Sequence, residues 1–329
     1  MKRTAALCAL AALLVACGDG NPFTTTTTVT TDTVSASDPG TSDPGTDSDT
    51  SSTAVPEDIL GDLNSLSFNA STNTLTVTGL TQDGVPLVNE YRHITSTFAP
   101  GYETFTAQND ALGRHATAFV ASRDGVQAGI VLTGPQFNEF FGGSYYERTG
   151  DYVAPTAPES RFDVTYYGNY AGGLNGAGPV TDLITPAGLD PDVGVPAQAA
   201  YITGLMFVNV DLNDMSVEGE IYDRTAFLDG SNLDLPDLVL IEGELTGNGT
   251  FAGNIEIDES DPAGPGGSST DIGDFAGIIG GPNGETMAGG TFIERFSPDI
   301  DGEIEYGVFV LDLCEAGNTD PICVAALTP

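Results

Sequence analysis

The stretch Asp274–Phe296, reading DFAGIIGGPNGETMAGGTFIERF, constrains this chain more than any other. It reads as a strand, a turn over Gly280–Gly284, and a second strand that opens on a pair of glycines, Gly289 and Gly290. Glycine supplies the positive φ angles that such a turn needs, and proline fixes its bend. A glycine inside a strand marks a sharp bend or a close approach of another chain segment. The residue types leave two arrangements open, a β-barrel corner and an ordinary hairpin with a generous loop.

The surrounding pattern is that of strands. From Arg161 onward eight segments qualify: Phe162–Tyr170, Tyr201–Val210, Ser216–Tyr222, Leu238–Leu245, Thr250–Ile257, Gly273–Ile279, Met287–Phe296 and Ile304–Leu311. Several alternate, with Met206, Val208 and Val210 on one phase and Phe207, Asn209 and Asp211 on the other. Glu218, Glu220, Glu242, Glu244, Glu256 and Asp258 are assigned to outward faces. Eight antiparallel strands can close into a barrel filled by side chains, which removes exposed edges. The outward charges predict a soluble barrel, because a membrane-spanning one carries an apolar outer band with aromatic girdles. Gly/Pro-rich loops are expected at Ala171–Pro196 and Glu259–Thr270.

Before Arg161 the signals are also of strands, without a long helical period. Ser65–Phe68 and Thr74–Thr78 form one expected pair. His115–Ala121 and Val126–Leu132 form another, with Asp124-Gly125 at the turn. Tyr91–Tyr102 is ambiguous, and Phe137–Arg148 is a strand or loop rich in aromatics. The fold class expected is all-β, an eight-stranded antiparallel soluble barrel over 156–313 preceded by a small β-rich domain over 55–155.

Three ordered motifs resemble those of the transferrin-binding protein B family. Gly281, Pro282, Asn283, Glu285, Gly289, Gly290 and Phe292 stand where that family's barrel signature has Gly-Pro-Asn, an acidic residue and Gly-Gly-x-Phe. Glu242–Asn254 is similar to its Gly-Asn-x-Phe-x-Gly strand pair, with Gly249 extra, and Gly307-Val308-Phe309 to its closing strand. The resemblance covers roughly 160–313 and favours the barrel over the hairpin. It implies a handle-like N-terminal domain and a surface lipoprotein. It further implies capture of a protein, haem or iron-complex ligand, beside an outer-membrane receptor. No motif of the N-terminal domain carries over, so the ligand is not implied to be transferrin.

The N-terminus agrees with export. Lys2 and Arg3 precede an apolar run to Ala16, and Leu14-Val15-Ala16-Cys17 fits a bacterial lipobox. The run is too short to span a bilayer. The expectation is a signal over 1–16 and acylation of Cys17, which would anchor the protein to the outer membrane, at the cell surface or on the periplasmic face. Residues 17–54, rich in Thr, Ser and Asp, read as a disordered tether. The nine basic residues include Lys2 and Arg3, so the chain beyond residue 16 keeps seven, all arginine, against 47 acidic residues. Such a surface repels nucleic acid and anionic headgroups. It suits salt-adapted solubility, a basic protein partner or bound Ca²⁺. In an exported chain Cys314 and Cys323, nine apart, are expected to form a disulfide in the tail 314–329.

Catalytic signals are absent from the sequence. His93 and His115 stand alone, without the neighbouring ligands of a metal pair. There is no Gly-x-Ser-x-Gly elbow, and carboxylates are too many for any pair to be informative. Asp299–Glu303 holds only part of a calcium loop. Haem ligation by a histidine, with Tyr145 or Tyr146, stays open. The functional expectation is a ligand-binding lipoprotein rather than an enzyme. The alternative is a structural or adhesive envelope lipoprotein with no small ligand.

Overall fold

Alternating apolar residues and Gly- or Asx-rich turns draw this chain into two antiparallel sheets. In the computed structural model the residues described are 55–79, 88–95, 98–137, 139–157, 161–185, 194–258, 271–296, 302–315 and 317–328. Cys17, the expected signal 1–16 and tether 17–54, and most of the partial calcium-loop motif Asp299–Glu303 lie outside them. The short helix α1 (Glu57–Leu60) leads into the first sheet. That sheet orders β1 (Leu63–Asn69), β2 (Thr74–Gly79), β3 (Val88–Ile94), β4 (Glu103–Ala107), β5 (Ala116–Arg123), β6 (Val126–Thr133) and β7 (Gly142–Arg148) in chain sequence. It nearly closes on itself. Asp62 N–H donates to Gly142 O at 2.9 Å, and Gly142 N–H donates to the Asp62 carboxylate at 3.0 Å.

The second sheet is a closed barrel. Its strands are β8 (Asp163–Ala177), β9 (Ala199–Asp211), β10 (Ser216–Leu228), β12 (Leu238–Leu245), β13 (Thr250–Ile257), β14 (Asp271–Gly280), β15 (Thr286–Glu294) and β16 (Ile304–Leu313). β16 pairs back onto β8, which joins eight strands in a ring. The short β11 (Ser231–Asp234) pairs with the end of β10. The helix α2 (Pro321–Leu327) follows the tail, and the Cys314–Cys323 disulfide closes the segment between β16 and α2, Cα–Cα 5.1 Å.

The strands differ from the sequence expectation in length. Ala171–Ala177, expected as loop, continues β8 and pairs with β9 and β16. Its Gly- and Ala-rich composition has weak strand propensity, but partners on both sides override it. The glycines there make room for the first sheet: a Cβ on Gly173 would overlap the Leu132 side chain of β6. β10 runs on to Leu228, and neither β11 nor α2 was expected from the pattern.

The barrel interior is filled. Tyr166, Tyr170, Met206, Val208, Val210, Ile221, Leu240, Ile255, Phe275, Phe309 and Leu311 are buried in one cluster. The outer side chains of β8 and β14–β16 (Ala171, Ala276, Ile278, Ala288, Val308, Val310) pack against Ile59 of α1 and Phe119, Ile130, Leu132 and Tyr146 of the first sheet. Both faces of β14, β15 and β16 are therefore buried, and their sequences lose the apolar–polar alternation kept by β9 and β10.

The turn before β15 and the glycines within it serve this construction. Gly281 and Gly284 take φ of +89° and +69°, and the Glu285 carboxylate accepts from Asn283 N–H at 2.6 Å beside Pro282. The Tyr166 hydroxyl donates from inside the barrel to Gly284 O at 2.6 Å. Gly289 faces inward against the Phe309 ring, and Gly290 faces outward against Ser144 and Ile59. Phe292 lies 5.3 Å from the Tyr306 ring, at the margin of the contact between the sheets. The glycine pair is thus a double close approach, core on one side and first sheet on the other.

One buried charged group crosses the barrel core. Arg224 and Glu305 are both fully enclosed and paired with each other. The Glu305 carboxylate also accepts from the Tyr170 hydroxyl at 2.6 Å, which lies 2.9 Å from Thr291 Oγ1. Arg224 donates to Pro236 O at 2.5 Å and lies 5.0 Å over the Phe296 ring.

Candidate functional site

Three connections meet at one end of the molecule. They are the β4–β5 segment (108–115), the β6–β7 segment (134–141) and the first and last residues of the long β8–β9 segment (178–185 and 194–198). Two glutamines tie them together. Gln108 Nε2 donates to Gly113 O at 3.1 Å and Ile184 O at 3.2 Å, and its Oε1 accepts from Ile184 N–H at 2.7 Å. Gln136 Nε2 donates to Leu112 O and Gly194 O, both at 3.0 Å. Arg114 braces the same loops, donating to Glu139 O at 2.9 Å and Gln136 O at 3.2 Å, with its guanidinium 4.7 Å over the Phe141 ring.

This fixed framework presents large apolar side chains to solvent. Leu112 is 58% exposed, Phe137 69%, Val180 56% and Ile184 49%. Phe137 holds a positive φ of +57° and its ring lies over the backbone of Gly194. A strained residue holding an exposed aromatic at a loop tip is a feature of binding sites, where strain is kept for function. The hydrogen bonds beneath the patch pre-organise it, so little ordering entropy remains to be lost on association.

A polar cluster lies under the patch. Asp182 is gripped by Arg92 from β3 and by Thr106 Oγ1 of β4 at 2.5 Å. Gln198 Oε1 accepts from the backbone N–H of Thr181 and Asp182 at 3.0 and 3.3 Å. His115 is fully buried, with Nε2 4.0 Å from the Asp182 carboxylate and neither ring nitrogen hydrogen-bonded. Thr104 and Thr117 hydroxyls nearby in β4 and β5 are also unpartnered. Burial drives the Asp182 carboxyl up, but the hydrogen bonds from Arg92 and Thr106 outweigh it and hold the group below its ordinary value. Burial pushes the His115 imidazole down; Asp182 opposes this and Arg92 reinforces it.

These shifts have one sign. A buried histidine with a depressed pKa contributes full stability above its ordinary value of about 6.5, and loses it as pH falls from there. The depressed Asp182 contributes above the ordinary carboxylate value and loses its share below it. His115→Leu removes two unpaired nitrogens. Thermal melts should show the variant equal or up to about 1 kcal/mol more stable at pH 7. Its loss between about pH 7 and 5 should be shallower than that of the parent. An equally steep loss in the variant would assign the acid sensitivity elsewhere.

The histidines and tyrosines considered for haem are not brought together. Arg92 and His93 point to opposite faces of β3; His93 pairs with Glu103 at 2.7 Å and sits 5.1 Å from the Phe105 ring. Tyr145 donates to Glu147 at 3.2 Å, while Tyr146 is buried between the sheets. Among the described residues no group of three or more His, Cys, Asp or Glu is arranged to hold a metal ion. Phe137, within an aromatic-rich segment, is the one patch residue with a signal in the sequence. Leu112, Val180 and Ile184 read as isolated loop residues, because their meeting depends on contacts between distant segments.

No family model matches this chain, and no curated protein matches it. Solved structures do. The likeness is to transferrin-binding protein B. Intact Ap-TbpB, with N and C lobes, is 13% identical with a TM-score of 0.38, over 75% of this chain and 45% of that one. A double mutant of the vaccine antigen from Haemophilus parasuis is 11% identical, TM-score 0.35, over 75% and 52%. The isotype 1 protein from serogroup B Neisseria meningitidis is 14% identical, TM-score 0.28, over 75% and 51%. The chain spans about half the length of these structures. The barrel assigned above stands on its own strand pairing, whatever the likeness.

Proposed function

We propose that this chain is a ligand-binding surface lipoprotein, held to the outer membrane through Cys17, whose loop end engages a protein partner. The observation that carries this reading is that Leu112, Phe137, Val180 and Ile184, all large and apolar, are exposed on neighbouring loops that side-chain hydrogen bonds hold in place. Exposed apolar groups set in a polar rim are what a partner's core contacts bury. The formal net charge of −38 selects for a basic partner and speeds its encounter. The domain boundaries at 55–155 and 156–313 and the tether 17–54 belong to the same proposal. The tether would hold the folded part away from the membrane, with a mean reach of roughly 30 Å for a flexible chain.

A photo-crosslinking residue at position 137, in protein displayed on intact cells of its own source, tests the reading. One saturable protein adduct, competed by soluble protein and lost when Leu112 and Ile184 are both changed to serine, is the expected result. No adduct at 137, with normal surface display, would leave a structural or adhesive envelope lipoprotein as the better account.

A further inference from the structure

A second site lies at the other end of β5. His115 precedes that strand and Arg123 closes it, so the two ends are separated by roughly 25 Å at about 3.3 Å per residue. There the barrel seam opens. The β16–β8 ladder runs from Glu305↔Leu174 to Phe309↔Tyr170 and resumes only at Asp312↔Tyr167. Tyr102, just before β4, fills the gap. Its hydroxyl donates to Asn169 O at 2.8 Å, lies 3.1 Å from Val308 O, and accepts from Val310 N–H at 3.2 Å. Beside it lies a cavity of about 290 Å³.

Three parts of the fold contribute to its walls. The first sheet supplies Arg123 and, just before β4, Tyr102; the barrel supplies Tyr167, Asn169 and Asp312, and the tail Asp320. The tail is there because it is pinned. The Cys314–Cys323 bridge closes only a nine-residue separation, and Cys314 N–H donates to Thr165 O at 2.7 Å. So short a loop gains little from cross-linking the unfolded chain. The effect of the bridge is to hold the tail against the seam.

The chemistry of the walls is selective. Arg123 is paired with Asp312, which holds its guanidinium firmly charged. Among the described residues no cation is ion-paired with Asp320. One oxygen accepts from Ile322 N–H at 2.9 Å as the cap of α2, and the Tyr167 hydroxyl bonds to the same carboxyl. These bonds orient the carboxylate and leave lone pairs free toward the cavity. The cavity thus carries one uncompensated negative charge, with the Asn169 amide beside it for neutral hydrogen bonds. Its volume lies at the lower edge of small-molecule pockets.

We propose that this seam cavity binds a small polar ligand bearing a single ammonium group, of about monosaccharide size, with Asp320 as its counter-ion. The site does not depend on the loop-end surface and would stand if that reading failed.

The test is an NMR titration of the full chain, disulfide intact, at about pH 6.5 where amines are protonated. Glucosamine, glucose and glucuronate are the probes, three rings of similar size that differ in charge. Saturable shifts at the amides of residues 101–102, 168–169 and 318–320 are expected with glucosamine, weaker ones with glucose and none with glucuronate. Asp320→Asn keeps a capping oxygen for α2 and removes the charge. It should leave the melting curve unchanged and weaken glucosamine at least tenfold. Three results would overturn the proposal: no saturable shift in the parent, equal shifts with glucuronate, or undiminished glucosamine binding by the asparagine variant.

Discussion

Arg224→Met should destabilise the protein by about 3–5 kcal/mol at pH 7, read as a shift in denaturant midpoint. Arg224 and Glu305 are wholly enclosed inside the barrel. Burial already pushes the Glu305 carboxyl up against the pull of Arg224 and of the Tyr170 hydroxyl. Without Arg224 the carboxylate is left uncompensated in a low-dielectric core, and the cheapest remedy is to take up a proton. The sign follows. Protonation relieves the buried charge, so the deficit should shrink as pH falls from 7 toward 5. Arg224→Met with Glu305→Gln should recover most of the loss, because a neutral amide can still accept from Tyr170. If the single and double variants were equally unstable, packing against Phe296 rather than charge would be the dominant contribution of Arg224.

Gly289→Val should be at least as severe, more than about 3 kcal/mol or outright failure to fold. A Cβ on Gly289 would overlap the Phe309 ring and the Ala276 carbonyl oxygen. The second is backbone within the β14–β15 ladder, where Gly289 is paired with Gly277, so no rotamer change relieves it. The barrel would have to part between β14 and β15 or move Phe309 off the core. Circular dichroism melts of the purified variant give the answer. A melting curve like the parent's would mean that β15 has room at this point and that the glycine pair is not a close approach.

Both predictions bear on how far the sequence could be read. Gly281–Phe292 signalled a sharp turn followed by a tight place, and the turn and the tight place are there. The alternation in 201–211 put Met206, Val208 and Val210 on one phase, and that phase is the barrel interior; one face of that sheet is wet, and a wet face leaves a period of two. The same rule could not sort β14–β16, since the first sheet dries their outer faces. Nor could it find β8 beyond Tyr170, where pairing on both sides makes a strand of glycine and alanine. The Arg224–Glu305 pair escaped the sequence reading altogether. Among 47 acidic residues, nothing local marks Glu305 as the one enclosed beside an arginine 81 positions away.

The candidate sites were less legible than the fold, for a related reason. The loop-end patch joins residues 112, 137, 180 and 184, and the seam cavity joins residues 102, 123, 167, 312 and 320. No pattern of period two or 3.6 connects such positions. By itself the sequence indicated the all-β class, the eight strands of the C-terminal part and the hairpin over Asp124-Gly125, because these rest on short-range geometry: residue alternation, glycine φ and loop length; the barrel was favoured by the family resemblance and the cysteine pair by the expected export. Only the tertiary structure decided which outer face of the barrel is buried, which loops share an end, and which charges are enclosed. Those depend on how two sheets pack, and packing is a sum over contacts between segments far apart in the chain.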